Sequence, residues 1–281
     1  MKKGPIGIFD SGYGGLTILK EIRRSLPQYD YLYLGDNARA PYGVRSFDIV
    51  YKFTREAVEA LMDRGCNLII LACNTASAKA LRAIQQNDLP EIHRRDGEDL
   101  KRVLGVIIPS VEALDKISKS KHIGVLATNG TVASHSYCLE TAKISPHIKV
   151  TEEACPMWVP LVETGEFDTP GADYFVKKKI NAILERDPEI DTLLLGCTHY
   201  PILMDTIKRN TPDGINIVAQ GDLIAQSLKN YLERHPEIEE ICSKGGKARF
   251  LTTENKEKFS DLASLFIGHS IEAEKIGMLG G

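Results

Sequence analysis

The sequence has no Cys-x-x-Cys pair, no complete Gly-x-Gly-x-x-Gly run, no Gly-Lys-Ser/Thr and no apolar stretch approaching the length of a membrane span. Each absence removes a class. Thiol–disulfide exchange loses its usual motif, dinucleotide and P-loop binding lose their phosphate cradles, and a transmembrane helix has nowhere to form. Neither the cysteines nor the histidines show the paired spacing of a structural zinc site, so no metal is expected. The apolar start after Met1-Lys2-Lys3 is broken by Gly4, Pro5 and Gly7 and ends at Asp10, which leaves no secretory core region. A formal charge of -3 supplies no general attraction for nucleic acid, and Lys177-Lys178-Lys179 reads as a solvated helix face. Six cysteines in 281 residues are too few for a disulfide scaffold and fit reduced thiols, hence a cytoplasmic protein.

What is present is a repeated phrase. Ile69-Ile70-Leu71-Ala72-Cys73-Asn74-Thr75 and Leu193-Leu194-Leu195-Gly196-Cys197-Thr198-His199 each run from apolar residues through a small residue to cysteine, then to polar side chains. An apolar run of this kind reads as a strand buried on both faces, which puts the cysteine where the strand stops. Open α/β sheets bind their ligands at that end. Two thiols on matched strand ends point to a pair facing one substrate from both sides, one removing a proton and the other delivering one.

The same order of strand, small-residue loop and helical pattern recurs along the chain. Apolar segments at residues 5–9, 31–34, 67–72, 103–108, 123–127, 193–195 and 215–219 each lead into a turn-rich loop. The expected fold is therefore α/β, with two similar domains, each a mostly parallel sheet flanked by helices, and a site in the cleft between them. Residues 87–102 break the rhythm with Pro90, paired arginines and Gly97, and read as a surface excursion joining the halves. The first domain is placed at 1–98 plus 208–281 and the second at 99–207.

Individual residues carry competing readings. The loop Asp10-Ser11-Gly12-Tyr13-Gly14-Gly15 has Thr17 where a dinucleotide fingerprint needs its third glycine, and Asp10 would repel a phosphate. Presentation of Asp10 and Ser11 to a polar substrate is the better reading. A lone cysteine is usually a small buried hydrophobe. For Cys73 and Cys197 the following polar residues favour catalysis, because donors or a nearby His⁺ stabilise a thiolate. Cys66, Cys138, Cys155 and Cys242 lack that context. His199 is placed as an acid/base partner, and Glu163, which closes an apolar run, could charge or orient a histidine.

Taken together, Gly7-Ile8-Phe9-Asp10-Ser11-Gly12-Tyr13-Gly14-Gly15, Pro41-Tyr42-Gly43, Ala72-Cys73-Asn74-Thr75-Ala76-Ser77, Ala154-Cys155-Pro156, Val159-Pro160-Leu161-Val162-Glu163 and Gly196-Cys197-Thr198-His199-Tyr200-Pro201 resemble the glutamate racemase family, within the aspartate/glutamate racemase superfamily. The resemblance implies a cofactor-independent isomerase that interconverts L- and D-glutamate for bacterial cell-wall (peptidoglycan) synthesis. It makes Cys73 and Cys197 the acid/base thiols, Asp10 and His199 their respective helpers, and Glu163 the carboxylate behind His199. Around the substrate it implies Asp10, Ser11, Asn74, Thr75, Thr198 and His199 at the α-centre, with Tyr42, Gly43, Thr128 and Thr131 at the side-chain carboxylate. It also implies two α/β domains, with the C-terminal segment returning to the first. The expected partners are the small-molecule substrate and a second copy in a homodimer, with no nucleic acid and no membrane. At Val218-Ala219-Gln220-Gly221-Asp222 the chain departs from the family's acidic and serine-containing pattern, and no role is carried across. The alternatives are a racemase for aspartate or another amino acid, and a non-catalytic regulatory protein on the same fold.

Overall fold

The computed structural model describes residues 2–97 and 99–277. Its strands, in chain order, are β1 (Ile6–Asp10), β2 (Tyr31–Gly35), β3 (Leu68–Leu71), β4 (Arg102–Gly105), β5 (His122–Ala127), β6 (Lys149–Ala154), β7 (Thr192–Gly196), β8 (Asn216–Val218), β9 (Ala248–Thr252) and β10 (Ala273–Lys275). They form a six-stranded sheet in the order β10-β9-β2-β1-β3-β4 and a four-stranded sheet in the order β6-β5-β7-β8. Every pairing is parallel.

β1, β2, β3 and β7 are buried along their whole length, which is why they read as unbroken apolar runs rather than as alternation. The two-residue period survives in where the side chains go. Ile6 and Ile8 of β1, with Leu68 and Ile70 of β3, enter one core, while Phe9, Ile69 and Leu71 enter another on the opposite face. Leu193 and Leu195 of β7 join the first of these cores, so the two sheets share apolar packing.

Strand pairing moves the domain limits. β4 pairs with β3 from Leu68↔Arg102 to Leu71↔Gly105, and β8 pairs with β7. The chain therefore leaves the first sheet after residue 105 and returns after 218, rather than at 98 and 208. Residues 87–102 are not an excursion. They hold the helix Leu89–Asp96, ended by Gly97 in the left-handed region at φ 69°, within the crossover from β3 to β4. Its charged face looked like a loop because only Leu89 and Ile92 turn inward. The apolar segment 103–108 also divides: β4 stops at Gly105, and the helix Ile107–Ile117 begins with Pro109 in its first turn. The halves are similar in architecture and unequal in size, because β9 and β10 extend the first sheet beside β2.

Candidate active site

Asp10, Cys73 and Cys197 sit at or just past the C-terminal ends of β1, β3 and β7. Cys73 occupies the cap position of the helix Asn74–Lys79, and the Ala76 N–H donates to its sulfur at 3.5 Å. The thiol itself donates to Ser11 Oγ at 3.5 Å. Burial, reinforced by the charge of Asp10, pushes the Cys73 thiol up to about 12, against the lowering effect of those two contacts. Asp10 is fully buried. Its Oδ1 accepts from the Gly12 N–H at 2.9 Å and its Oδ2 accepts from Thr198 Oγ1 at 3.2 Å. Burial raises its pKa, and the charge of His199 works in the opposite direction.

On the Cys197 side the chain forms a 3-10 turn over Tyr200–Leu203 before the helix Met204–Asn210. An α-helix N-terminus thus stands directly behind Cys73 and not behind Cys197; here the nearby charge comes from His199. That imidazole is buried, with Nε2 3.1 Å from Glu163 Oε1, at the end of the helix Trp158–Glu163. Phe266, from the C-terminal helix Lys256–Ile267, packs edge-on against the ring at 5.2 Å. Burial disfavours the cation, but the Cys197 sulfur and the Glu163 carboxylate outweigh it and raise His199 to about 10. His199 is therefore an imidazolium at neutral pH.

Gly14 explains part of the glycine-rich loop. A Cβ there would lie 2.2 Å from Thr198 Oγ1 and 2.5 Å from His199 Nδ1. The glycine serves the close approach of Thr198 and His199, not that of a phosphate.

Both thiols line one cavity between the sheets. Ser11, Tyr42, Gly43, Asn74, Thr75, Thr128, Glu163, Thr198 and His199 also line it. Asp10 and Thr131, expected to touch the substrate, are fully buried behind this wall. Thr131 instead closes a triangle of hydroxyls with Thr75 and Thr128, at 2.9 Å for Thr75–Thr128, 3.4 Å for Thr75–Thr131 and 3.2 Å for Thr128–Thr131. Tyr42 is braced from outside: its hydroxyl donates to Asp36 Oδ2, which also accepts from Arg39 Nε at 2.7 Å.

Sequence reasoning missed two features of this wall. Cys155, a third thiol, borders the cavity beside Pro156 and Val159, although it was assigned only to packing. Gln220 accepts from Asn74 Nδ2 at 2.7 Å. The one available signal for it was position, since Gln220 follows β8 as Cys73 follows β3. Among the described residues, no three His, Cys, Asp or Glu side chains converge as metal ligands. No helix among them is long and apolar enough to cross a membrane.

A parallel α/β pair of sheets with one cysteine from each facing a shared cavity is the arrangement of amino-acid racemases that work with thiols. Residues 15–228 match the family model of Asp/Glu/Hydantoin racemases, and the chain belongs to that family. Within it the chain is similar to the glutamate racemase of Ruegeria sp. strain TM1040, with 40% identity over 279 residues, covering 96% of this chain and 98% of that one. It superposes on the crystal structure of glutamate racemase isoform RacE1 from Bacillus anthracis with a TM-score of 0.87 and 34% identity, over 99% of both chains. The glutamate racemase of Francisella tularensis, solved in complex with D-glutamate, gives a TM-score of 0.85 at 30% identity over the whole of both chains.

Proposed function

We propose that this protein interconverts L- and D-glutamate by a two-base route that needs no cofactor, and so supplies D-glutamate for peptidoglycan. The observation that carries the reading is the opening of Cys73 and Cys197 into one cavity from the ends of strands in different sheets. A substrate α-carbon held between them has a sulfur available on each face.

At rest the two sulfurs are not equivalent. Cys197 lies beside the His199 cation, whereas burial and the charge of Asp10 raise the Cys73 thiol. Cys197 takes the α-hydrogen of one enantiomer as a proton, and the electrons of the C–H bond move into the substrate carboxylate. Cys73 then delivers its proton to the opposite face and becomes the thiolate. Reversal of the roles runs the reaction the other way. The developing charge is met by donors fixed in advance, namely the Asn74 amide and the Thr75 hydroxyl on the cavity wall. Tyr42, Gly43 and Thr128 also line the cavity, and by family resemblance they receive the side-chain carboxylate.

A cytoplasmic location is supported by six free cysteines. A homodimer is supported by the exposed apolar residues Val44, Phe47 and Ile49, the first of which lines the cavity. The test of the activity is incubation of EDTA-dialysed protein with L-glutamate in D2O, followed by chiral and mass analysis. D-glutamate carrying deuterium at the α-carbon is expected, and its absence would overturn the reading.

A further inference from the structure

Behind Asn74 lies a closed ring of hydrogen bonds. Asn74 Nδ2 donates to Gln220 Oε1 at 2.7 Å, Gln220 Nε2 donates to the Tyr137 hydroxyl at 2.9 Å, and that hydroxyl donates to Asn74 Oδ1 at 2.6 Å. All three side chains are buried. Gln220 Nε2 also donates to Ser110 Oγ at 2.7 Å, whose own hydroxyl donates to the Val106 carbonyl at 2.7 Å. The ring has one direction. Because Tyr137 gives its only proton to Asn74 Oδ1, the Asn74 amide has a single satisfied orientation, with one Nδ2 hydrogen left over at the cavity wall.

The members of the ring come from places that matter to the cleft. Asn74 follows β3 of the first sheet and Tyr137 lies on the helix Ser136–Ile144, in the half of the chain that carries β5–β8. Val106 and Ser110 stand where the chain leaves the first sheet, and Gln220 stands where it returns. One glutamine thus links both passages between the sheets to a single cavity-lining amide. Among the described polar side chains of the cavity, Asn74 is the one held by another side-chain amide.

We infer that Gln220 is a positioning residue that sets the Asn74 amide toward the substrate through the Asn74–Gln220–Tyr137 ring. The inference rests on the proposed racemisation. It assigns Gln220 no contact with glutamate. Removing its amide leaves Asn74 free to rotate, and the donor it offers to the developing charge is lost for part of the time.

The experiment is a double-mutant cycle on the full chain. Initial rates of glutamate racemisation in both directions are measured for the wild type, Gln220→Met, Asn74→Ala and the double variant. Gln220→Met keeps the length of the side chain and removes both polar groups. It is expected to lower kcat/KM about tenfold, the scale of one displaced hydrogen-bond donor, with the loss falling on kcat. In the Asn74→Ala background it is expected to cost nothing further. Gln220→Glu serves as the second variant if the methionine protein is poorly folded. It preserves shape but cannot donate to Tyr137, and the same loss and the same non-additivity are expected. Wild-type kcat/KM in the soluble Gln220 variant, or effects of Gln220 and Asn74 that multiply, would overturn the inference alone. A wild-type protein that does not racemise glutamate would overturn the proposed function, and the inference with it.

Discussion

Thr198 Oγ1 donates to Asp10 Oδ2 at 3.2 Å, so the carboxylate beside Cys73 is held by the residue next to Cys197. The two sides of the cavity are therefore not independent. Thr17 adds to this tie, its hydroxyl donating to the Thr198 carbonyl at 3.0 Å. Any change that draws Thr198 away from β1 alters the setting of both thiols.

Two substitutions test this tie. Asp10→Asn is expected to slow racemisation by about 10²–10⁴-fold, the usual worth of a positioned acid/base helper. Thr198→Val, which removes the hydroxyl and keeps the shape, is expected to slow both directions about tenfold. Steady-state rates from L- and from D-glutamate provide the check. A Thr198→Val enzyme impaired in one direction only would show that the bond to Asp10 does not couple the two sides.

The division of labour between the sulfurs can be separated by half-reactions. Cys73→Ser and Cys197→Ser are each expected to abolish racemisation, since a serine hydroxyl is far too weak a base. Elimination from a β-substituted glutamate analogue needs only one abstraction, so each variant is expected to process one enantiomer. By family resemblance these are the L analogue for Cys73→Ser and the D analogue for Cys197→Ser. Equal enantiomer preference in the two variants would rule out the two-base route.

Stability should fall on the alkaline side. His199 is raised from 6.5 to about 10 in the folded protein, so its stabilising contribution is complete below about pH 6.5 and is gone once pH has risen through about 10. Thermal unfolding midpoints measured from pH 6.5 to 10 should decline more steeply in the wild type than in His199→Asn. Parallel curves would mean that the imidazolium is not held in the way its contacts with Cys197 and Glu163 require.

Gly14→Ala is expected to reduce kcat by about a hundredfold, because a methyl group must displace the Thr198 and His199 side chains from their places. Gly97→Ala, at a left-handed helix end with open space around its Cβ position, is expected to cost stability without changing kcat. Rates and melting curves for the pair separate steric invasion of the site from backbone strain.

Much of this was legible in the chain. Strands buried on both faces announce themselves as apolar runs, and residues directly after them reach one cavity, as with Cys73, Cys197 and His199. Glu163 was readable because a carboxylate ending an apolar helix is held near whatever that helix packs on. Less legible was anything depending on distant partners. β8 is three residues long and only partly buried, so nothing in its pattern identifies its sheet. Asp10 and Thr131 carry polar side chains that invite a substrate contact, yet both are fully buried and hydrogen-bonded to residues that line the cavity. The Gln220 ring is assembled from segments far apart in the chain, and no local pattern records which amide will face which.

The order of strands in the first sheet has a consequence for the newborn chain. β2 must pair with β9, Tyr31 against Ala248, and the Phe266 ring that flanks His199 is made later still. The four strands of the second sheet, in contrast, are consecutive in sequence. During translation the second domain can complete its sheet while the first still waits for its outer strands, so the half synthesised first is the half finished last. A ribosome-bound chain stopped before residue 248 would then present an ordered Cys197 domain beside a Cys73 sheet with an open edge.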